Sequence, residues 1–314
     1  MYKIKNFILL ENPIILFLIG IYLIFGLLNK NMFSLDGLTN ILIQSSVIGI
    51  MAVGMTFVIV SGGLDLSVGS LMAITSVLVS LLIKYLNISF VYVVPIGLFL
   101  GVISGIIIGI FVVYVKLPPF IITLGMLITL SGSARLISKA HPISGLPENF
   151  QNIFWHNSIF FIPTPIFIWI VISIIGIIIQ KFTTFGRYCY LIGNNQKAAE
   201  ISGININRVI ILTYMISGTL ASLAGIMLTA RLNSGQALVG RGMEIIVIAA
   251  VVLGGTKLFK GIGNVLGTVF GTAVIGLIYV SLSFAGLSTN WQEVGLGAIL
   301  IVAIIIDNFR SRYI

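Results

Sequence analysis

Residues 38–60 read LTNILIQSSVIGIMAVGMTFVIV and contain no acidic or basic side chain. A helix needs about 20 apolar residues to cross the hydrocarbon core of a bilayer, so this stretch is long enough for one crossing. The whole chain has the same character, because 58% of its 314 residues are hydrophobic and 8% are charged. A soluble domain carries about 25% charged residues, so this composition excludes an ordinary soluble enzyme, a disordered protein and a secreted disulfide scaffold.

Further apolar segments on both sides of this stretch predict an all-α integral membrane protein with about ten transmembrane helices. The segments are 13–29, 38–60, 68–84, 91–114, 118–137, 165–180, 209–230, 243–259, 262–284 and 292–307. Together they form one transmembrane domain over residues 1–314. Segment 243–259 is continuously apolar only from Ile245 to Leu253. We interpret it as a short, glycine-broken span buried by its neighbours rather than as a re-entrant segment.

The distribution of charge predicts the topology of the bundle. The chain has 17 Lys and Arg residues and a formal charge of +9. With both termini in the cytoplasm, eleven of these basic residues fall in cytoplasmic segments and six in outer segments, as the positive-inside rule requires. No basic run is interleaved with aromatic residues, so we expect no nucleic-acid partner.

Residues that carry common enzymatic chemistry are scarce. Cys189 is the single cysteine and His141 and His156 are the only histidines, so they cannot build a four-ligand metal site. The dipeptide Gly-Lys never occurs, which excludes a P-loop for ATP. We therefore expect no metal, no cofactor and no enzymatic activity.

Few ionisable residues lie within the apolar segments, which argues against an ion-coupled carrier. Asp65 and Glu244 are the candidates for exceptions, and both precede a predicted helix. We interpret Asp65 as a cap of the third helix, since an anion is favourable at a helix N-terminus. Glu244 can act in the same way, and Arg241 is close enough in sequence to pair with it.

Two glycine ladders are spaced by four residues, which places their members on one face of a helix. The first comprises Gly97, Gly101, Gly105 and Gly109, and the second comprises Gly263, Gly267 and Gly271. Such faces predict close helix packing, with a pore-lining face as the alternative. The two ladders lie on helices of opposite predicted direction, which suggests an internal inverted repeat.

Two loops are long enough to carry a function of their own. In the cytoplasmic loop 181–208, Asn194 or Asn195 can cap a short helix over residues 196–202, and Gly203 suits the left-handed position after it. A helix of two turns is unstable alone, so it must pack on its own bundle or on a partner. The outer loop 138–164 carries the aromatic pairs 154–155 and 160–161. They predict an anchor at the membrane interface, or else a landing surface for an extracytoplasmic partner.

The stretch GGLDLSVGS at residues 62–70 resembles the Gly-Gly-Ile-Asp-Leu-Ser-Val-Gly-Ser signature of ribose-type permeases of bacterial ATP-binding-cassette sugar importers. The signature positions are Gly62, Gly63, Asp65, Ser67 and Gly69. Residues 186–188, 193–194, 198–199 and 202–205 look like the cytoplasmic coupling segment of that family. Residues 248–256, IAAVVLGGT, also match, and the resemblance extends in order from about residue 38 to 308.

This resemblance implies a permease subunit in the bacterial inner membrane. Its partners would be a second permease subunit (an identical copy or a close paralogue), a cytoplasmic ATP-binding-cassette ATPase and an extracytoplasmic sugar-binding protein. ATP would be hydrolysed on the partner. The residues that would dock on the ATPase are Asn194, Asn195, Ala198, Ala199, Glu200, Ser202 and Gly203.

The resemblance also implies a monosaccharide cargo, ribose-like in the first place, with galactosides, nucleosides and a furanosyl signalling molecule as other cargoes of related permeases. A sugar path needs hydroxyl, amide and aromatic groups that face a cavity. Candidates are Gln44, Ser45, Thr56, Asn233, Gln236, Asn290 and Trp291, for each of which helix packing or capping is the alternative. The alternative functions are an ion-coupled carrier or facilitative channel, and a membrane scaffold that transports nothing.

Overall fold

The computed structural model describes residues 13–288, 290–292, 294–295 and 297–298. The helices are α1 (Pro13–Leu28), α2 (Leu35–Val60), α3 (Val68–Lys84), α4 (Phe90–Val113), α5 (Pro119–Ser138), α6 (Glu148–Gln151), α7 (Thr164–Phe182), α8 (Thr184–Asn194), α9 (Gln196–Ile201), α10 (Ile206–Leu232), α11 (Met243–Leu253) and α12 (Val265–Phe284). A 3-10 turn (Lys30–Phe33) and a π-helical turn (Asn152–His156) lie between them. Two antiparallel strand pairs join β1 (Ile143–Ser144) to β4 (Ser234–Gly235), and β2 (Ser158–Ile159) to β3 (Ile162–Pro163).

The expectation of an all-α membrane protein is confirmed. In the described part of the chain, α2, α4, α5, α7, α10 and α12 are long and apolar enough to cross a membrane, and α1, α3 and α11 are shorter apolar helices. These helices cover the first nine apolar segments, whereas most of segment 292–307 lies outside the described residues. The predicted segment 243–259 extends beyond the helix that the structure contains. Its helix ends at Leu253, because the chain turns at Gly254–Gly255 and Lys257 pairs back with Ile262.

The glycine ladders pack helices together, so the packing interpretation is confirmed. A Cβ atom at Gly101 would overlap the Gly218 carbonyl of α10, and one at Gly105 would overlap the backbone of Tyr214. In the second ladder, Gly267 and Gly271 bring α12 equally close to the backbone of α11. Gly263 precedes α12 and lies against Thr256, so its predicted place on the same helix face is wrong. Small residues therefore let these backbones approach closely, as is common between membrane helices.

Two helices begin inside the bundle rather than at its surface. The Asp65 carboxylate, just before α3, accepts a hydrogen bond from Ser217, which lies eleven residues into α10 and therefore about 16 Å along it. The segment before α11 meets α3 at the same level, because Gly240 contacts the carbonyl of Gly69. The pairs α2–α3 and α10–α11 thus share one arrangement: a long helix, a non-helical connection and a helix that starts within the bundle.

Candidate functional site

The short helix α9 is present where the sequence predicts it. Of the two candidate caps, Asn195 is the one used: its side-chain oxygen accepts a hydrogen bond from the Ala198 N–H at 3.0 Å. Asn194 is instead the last residue of α8. Gly203 has φ +78° and its N–H donates to the Glu200 carbonyl at 2.9 Å, which ends the helix as expected.

The two faces of α9 differ sharply. Ala199 is buried and packs with Cys189, Ile192 and Val209 of the same chain, so one face rests on the bundle. Ile201 lies on the opposite face and is 84% exposed, unusually high for an isoleucine in a six-residue helix. The docking residues expected from the sequence include Ala199 and do not include Ile201. Ile201 is the one large apolar side chain of α9, which is otherwise made of alanines and polar residues.

Below α9, a cavity of about 710 Å³ opens into the bundle. Its lining includes Gln196 and Glu200 of α9, Lys116 of the α4–α5 connection, and Gly62 and Tyr214. The cavity therefore extends from the exposed helix α9 to the signature segment at residues 62–70.

The signature segment fixes the start of α3 inside the bundle. Asp65 is buried, and its carboxylate accepts hydrogen bonds from the N–H and hydroxyl of Ser67, at 3.0 and 2.6 Å, and from the Ser217 hydroxyl at 2.8 Å. The N-cap residue of α3 is Ser67 rather than Asp65, which corrects the expected role. Asp65 instead ties the turn before α3 to α10, because a buried carboxylate must find several donors.

The glycines of the signature are required by backbone contacts. Gly62 has φ +86°, a conformation that side chains rarely adopt. Gly63 lies against the hydroxyl of Tyr214, which donates to the Leu64 carbonyl at 3.2 Å. At Gly69 a side chain would overlap Gly240 and the Glu244 carboxylate. The segment is thus a close-packed junction between helices.

Ser45 and Thr56, two of the seven path candidates, are fully buried at helix contacts. The Ser45 hydroxyl donates to the Ile41 carbonyl at 2.7 Å, and the Thr56 hydroxyl lies 2.7 Å from that of Thr268. These arrangements favour the packing alternative for both residues, since the hydroxyl of a serine or threonine in a helix can donate its hydrogen bond to a backbone carbonyl of the same helix.

The amide candidates lie elsewhere, near the end of α10. Gln44 accepts a hydrogen bond from Arg231 at 3.3 Å. Asn233 has φ +50° and accepts from the Leu146 N–H at 2.8 Å, and Gln236 donates to Ser234 at 2.9 Å. The structure thus brings Asn233 and Gln236 together beside the β1–β4 pair, while Asn290 and Trp291 are exposed in the helical residues 290–292.

Loop 138–164 divides its aromatic residues between two environments. Phe154 and Trp155 pack against the bundle, and the Arg231 guanidinium lies 5.1 Å from the centre of the Trp155 ring, a cation–π contact. The pair 154–155 is therefore not an exposed anchor. Phe160 and Phe161 form the tip of the β2–β3 hairpin and are fully solvent-facing, with φ +51° and +65°.

The expected pairing of Arg241 with Glu244 is absent: within the described part of the chain, no ion pair forms between them. The Glu244 carboxylate instead accepts from backbone N–H groups at the start of α11. Cys189 is buried in the α8 contact, and burial raises the pKa of its thiol to about 12, so the thiol stays protonated and unreactive near neutral pH.

Comparison with known proteins places these features in context. A profile of the family described as branched-chain amino acid transport system / permease component matches residues 37–304. The ribose import permease protein RbsC of Escherichia coli (strain K12) is 36% identical over 306 residues, 96% of this chain and 95% of that protein. RbsC of Bacillus subtilis (strain 168) is 36% identical over 290 residues, 92% and 90% of the two chains. The D-allose transport system permease protein AlsC of Escherichia coli (strain K12) is 33% identical over 290 residues, which are 92% of this chain and 89% of that protein. No solved structure matches the chain.

Proposed function

This chain belongs to the branched-chain amino acid transport system / permease component family, and on that premise we propose that it is the transmembrane permease subunit of an ATP-binding-cassette importer for a ribose-like monosaccharide. The observation that carries this function is the similarity to two ribose import permeases over at least nine-tenths of each chain. A similar D-allose permease widens the cargo class to monosaccharides in general. The chain resides in the bacterial inner membrane, and ATP is hydrolysed on a partner rather than on this subunit.

The proposed topology has ten crossings with both termini in the cytoplasm. The excess of Lys and Arg in loop 181–208 and in the other cytoplasmic segments supports this orientation. With segment 292–307 as the tenth span, an even number of crossings between loop 181–208 and the basic tail 308–314 requires α11 to cross as well.

The cytoplasmic helix α9 docks on the ATPase. Its capped, solvent-facing residues support this role, and they include Asn195, Ala198, Glu200 and Ser202. Ile201 supplies the apolar contact, while Ala199 holds the helix to its own bundle and Asn194 and Gly203 fix its two ends. Closure of the ATPase would be transmitted to the signature segment as a rigid-body shift, through the packing of α8 and α9 against the end of α2 at Val60.

The second permease subunit, an identical copy or a close paralogue, packs against α5. In the 18-residue apolar stretch of α5 only 11% of the residues are buried, whereas in that of α2 the buried share is 89%. Gly125, Thr129, Gly132 and Leu136 lie on one face of α5, and nothing lies within 4 Å of a Cβ built on either glycine. A flat face of small residues is typical of helix contacts in membranes.

The extracytoplasmic sugar-binding protein delivers its cargo on the side of loop 138–164. The exposed pair Phe160–Phe161 lies on that side, at the end of α7 opposite Lys181. Aromatic tips of this kind insert into the membrane interface or into a partner, and in either role they hold the outer end of the bundle in place.

The function is tested by reconstituting the permease with its ATPase and binding protein in proteoliposomes and measuring the uptake of labelled ribose. ATP-dependent uptake that needs the binding protein is the expected result. Uptake by the permease alone, driven by an ion gradient or by the solute gradient, would instead support the ion-coupled carrier or the facilitative channel.

A further inference from the structure

A second cavity, of about 300 Å³, lies between α5 and the starts of α3 and α11. This volume is at the lower end of the usual range for small-molecule sites. Its polar lining comes from three elements: Ser70 of α3, Ser131 and Arg135 of α5, and Arg241 and Glu244 at the start of α11. None of the seven path candidates chosen from the sequence lines it.

The cavity exists because two helices begin inside the bundle. Where α3 and α11 start, the backbones meet at Gly69 and Gly240, and a Cβ at either position would overlap the carbonyl oxygen of the other. Non-helical backbone at membrane depth is tolerated only if protein buries it or if it lines a water-filled space. In other transporters, interrupted helices that meet near the midplane form the solute site.

One face of α5 is directed at this cavity. Leu127, Ser131 and Arg135 are spaced by four residues and line it together, whereas Gly125 and Gly132 lie on a different, open face. The two serines of α5 differ in the same way. Ser133 donates to the Thr129 carbonyl of its own helix at 2.8 Å and does not line the cavity, while Ser131 does.

The charges in the cavity define the solute that fits. The guanidinium groups of Arg135 and Arg241 can only donate hydrogen bonds, and the Glu244 carboxylate can only accept them. A cation would be repelled, because two arginines face the cavity against a single carboxylate. Hydroxyl groups donate and accept, so a neutral solute with several hydroxyls matches both kinds of partner.

We propose that this cavity is the sugar site within the permease, where a neutral monosaccharide receives hydrogen bonds from Arg135 and Arg241 and donates to Glu244. The inference rests on the proposed function and adds to it the residues and the neutrality of the cargo. Ser131 supplies a further hydroxyl, and Ala237 shapes the apolar wall beside it.

The test uses the complete importer in proteoliposomes, with ribose uptake and binding-protein-stimulated ATP hydrolysis measured together. We expect Glu244→Gln to lower ribose uptake per ATP about tenfold, the factor for losing one charge-assisted hydrogen bond, and Ser131→Ala to lower it severalfold. Ala237→Leu fills the cavity and should lower ribose uptake per ATP further. Ser133→Ala is the matched control and should stay within about twofold of the wild type, since surface changes are usually mild.

Retained ATP hydrolysis in each variant demonstrates that the importer has assembled, so a misfolded protein is not mistaken for a blocked site. If Ser131→Ala, Ala237→Leu and Glu244→Gln all match Ser133→Ala in uptake per ATP, the cavity is not the sugar site, although wild-type uptake still upholds the proposed function. If the wild-type importer takes up neither ribose nor allose, the proposed function and the sugar site fail together.

Discussion

The exposed side chain of Ile201 gives a direct test of where the ATPase docks. Changing Ile201 to Ala removes three carbons from a side chain that is 84% exposed in the free permease. Each buried carbon contributes about 0.8 kcal/mol, so covering this side chain with a partner and then truncating it costs ~2 kcal/mol. That corresponds to about a 30-fold weaker affinity of the permease for the ATPase.

The affinity is measured by titrating the purified ATPase onto the detergent-solubilised permease, with the thermal unfolding midpoint of each variant recorded in parallel. Ile201→Ala should leave that midpoint unchanged, because the side chain already faces solvent. Ile153→Ala makes the same change at an exposed site in loop 138–164 and should not alter the affinity. An Ile201→Ala permease that binds the ATPase as tightly as the wild type would refute docking through this face.

Three further predictions concern the packing of the bundle. Ser217→Ala removes a hydrogen-bond donor from the buried Asp65 carboxylate and should lower the free energy of unfolding by about 1–3 kcal/mol. Thr219→Ala removes a hydroxyl that bonds only its own helix and should lower the free energy of unfolding by less. Chemical denaturation in detergent compares the two variants. Gly105→Ala should lower the thermal midpoint, because its Cβ meets the backbone of α10, while Gly125→Ala has open space around it and should not. Cys189 is buried, and burial raises the pKa of its thiol to about 12. A maleimide at pH 7 should therefore label Cys189 only after the protein unfolds. Rapid labelling of the folded protein would contradict the packing of α8.

The sequence predicted the local features of this protein well. Runs of apolar residues located the nine apolar helices in the described part of the chain, because the length of a span is set by the bilayer and not by its neighbours. The cap at Asn195 and the left-handed Gly203 followed from the same kind of local chemistry. The resemblance at residues 62–70 identified the family without any knowledge of what that segment contacts.

The contacts of the candidate residues could not be predicted, because they depend on which distant backbones meet. Asp65 looked like a helix cap, and only the fold revealed that its partner is Ser217, 152 residues away. Ser45 and Thr56 looked suitable for a sugar path, yet close helix packing buries them. In a helix that is apolar on every side, hydropathy does not indicate which face neighbouring helices cover.

The sequence alone therefore determined that the chain is a membrane bundle of a known permease family with a short capped helix between two of its spans. The tertiary structure decided that Ala199 faces inward and Ile201 outward. It also decided that α3 and α11 begin inside the bundle, where Gly69 meets Gly240 and leaves a polar cavity beside them. The physical reason is that a span is specified by its own residues, whereas a cavity is specified by the distances between helices that only packing fixes.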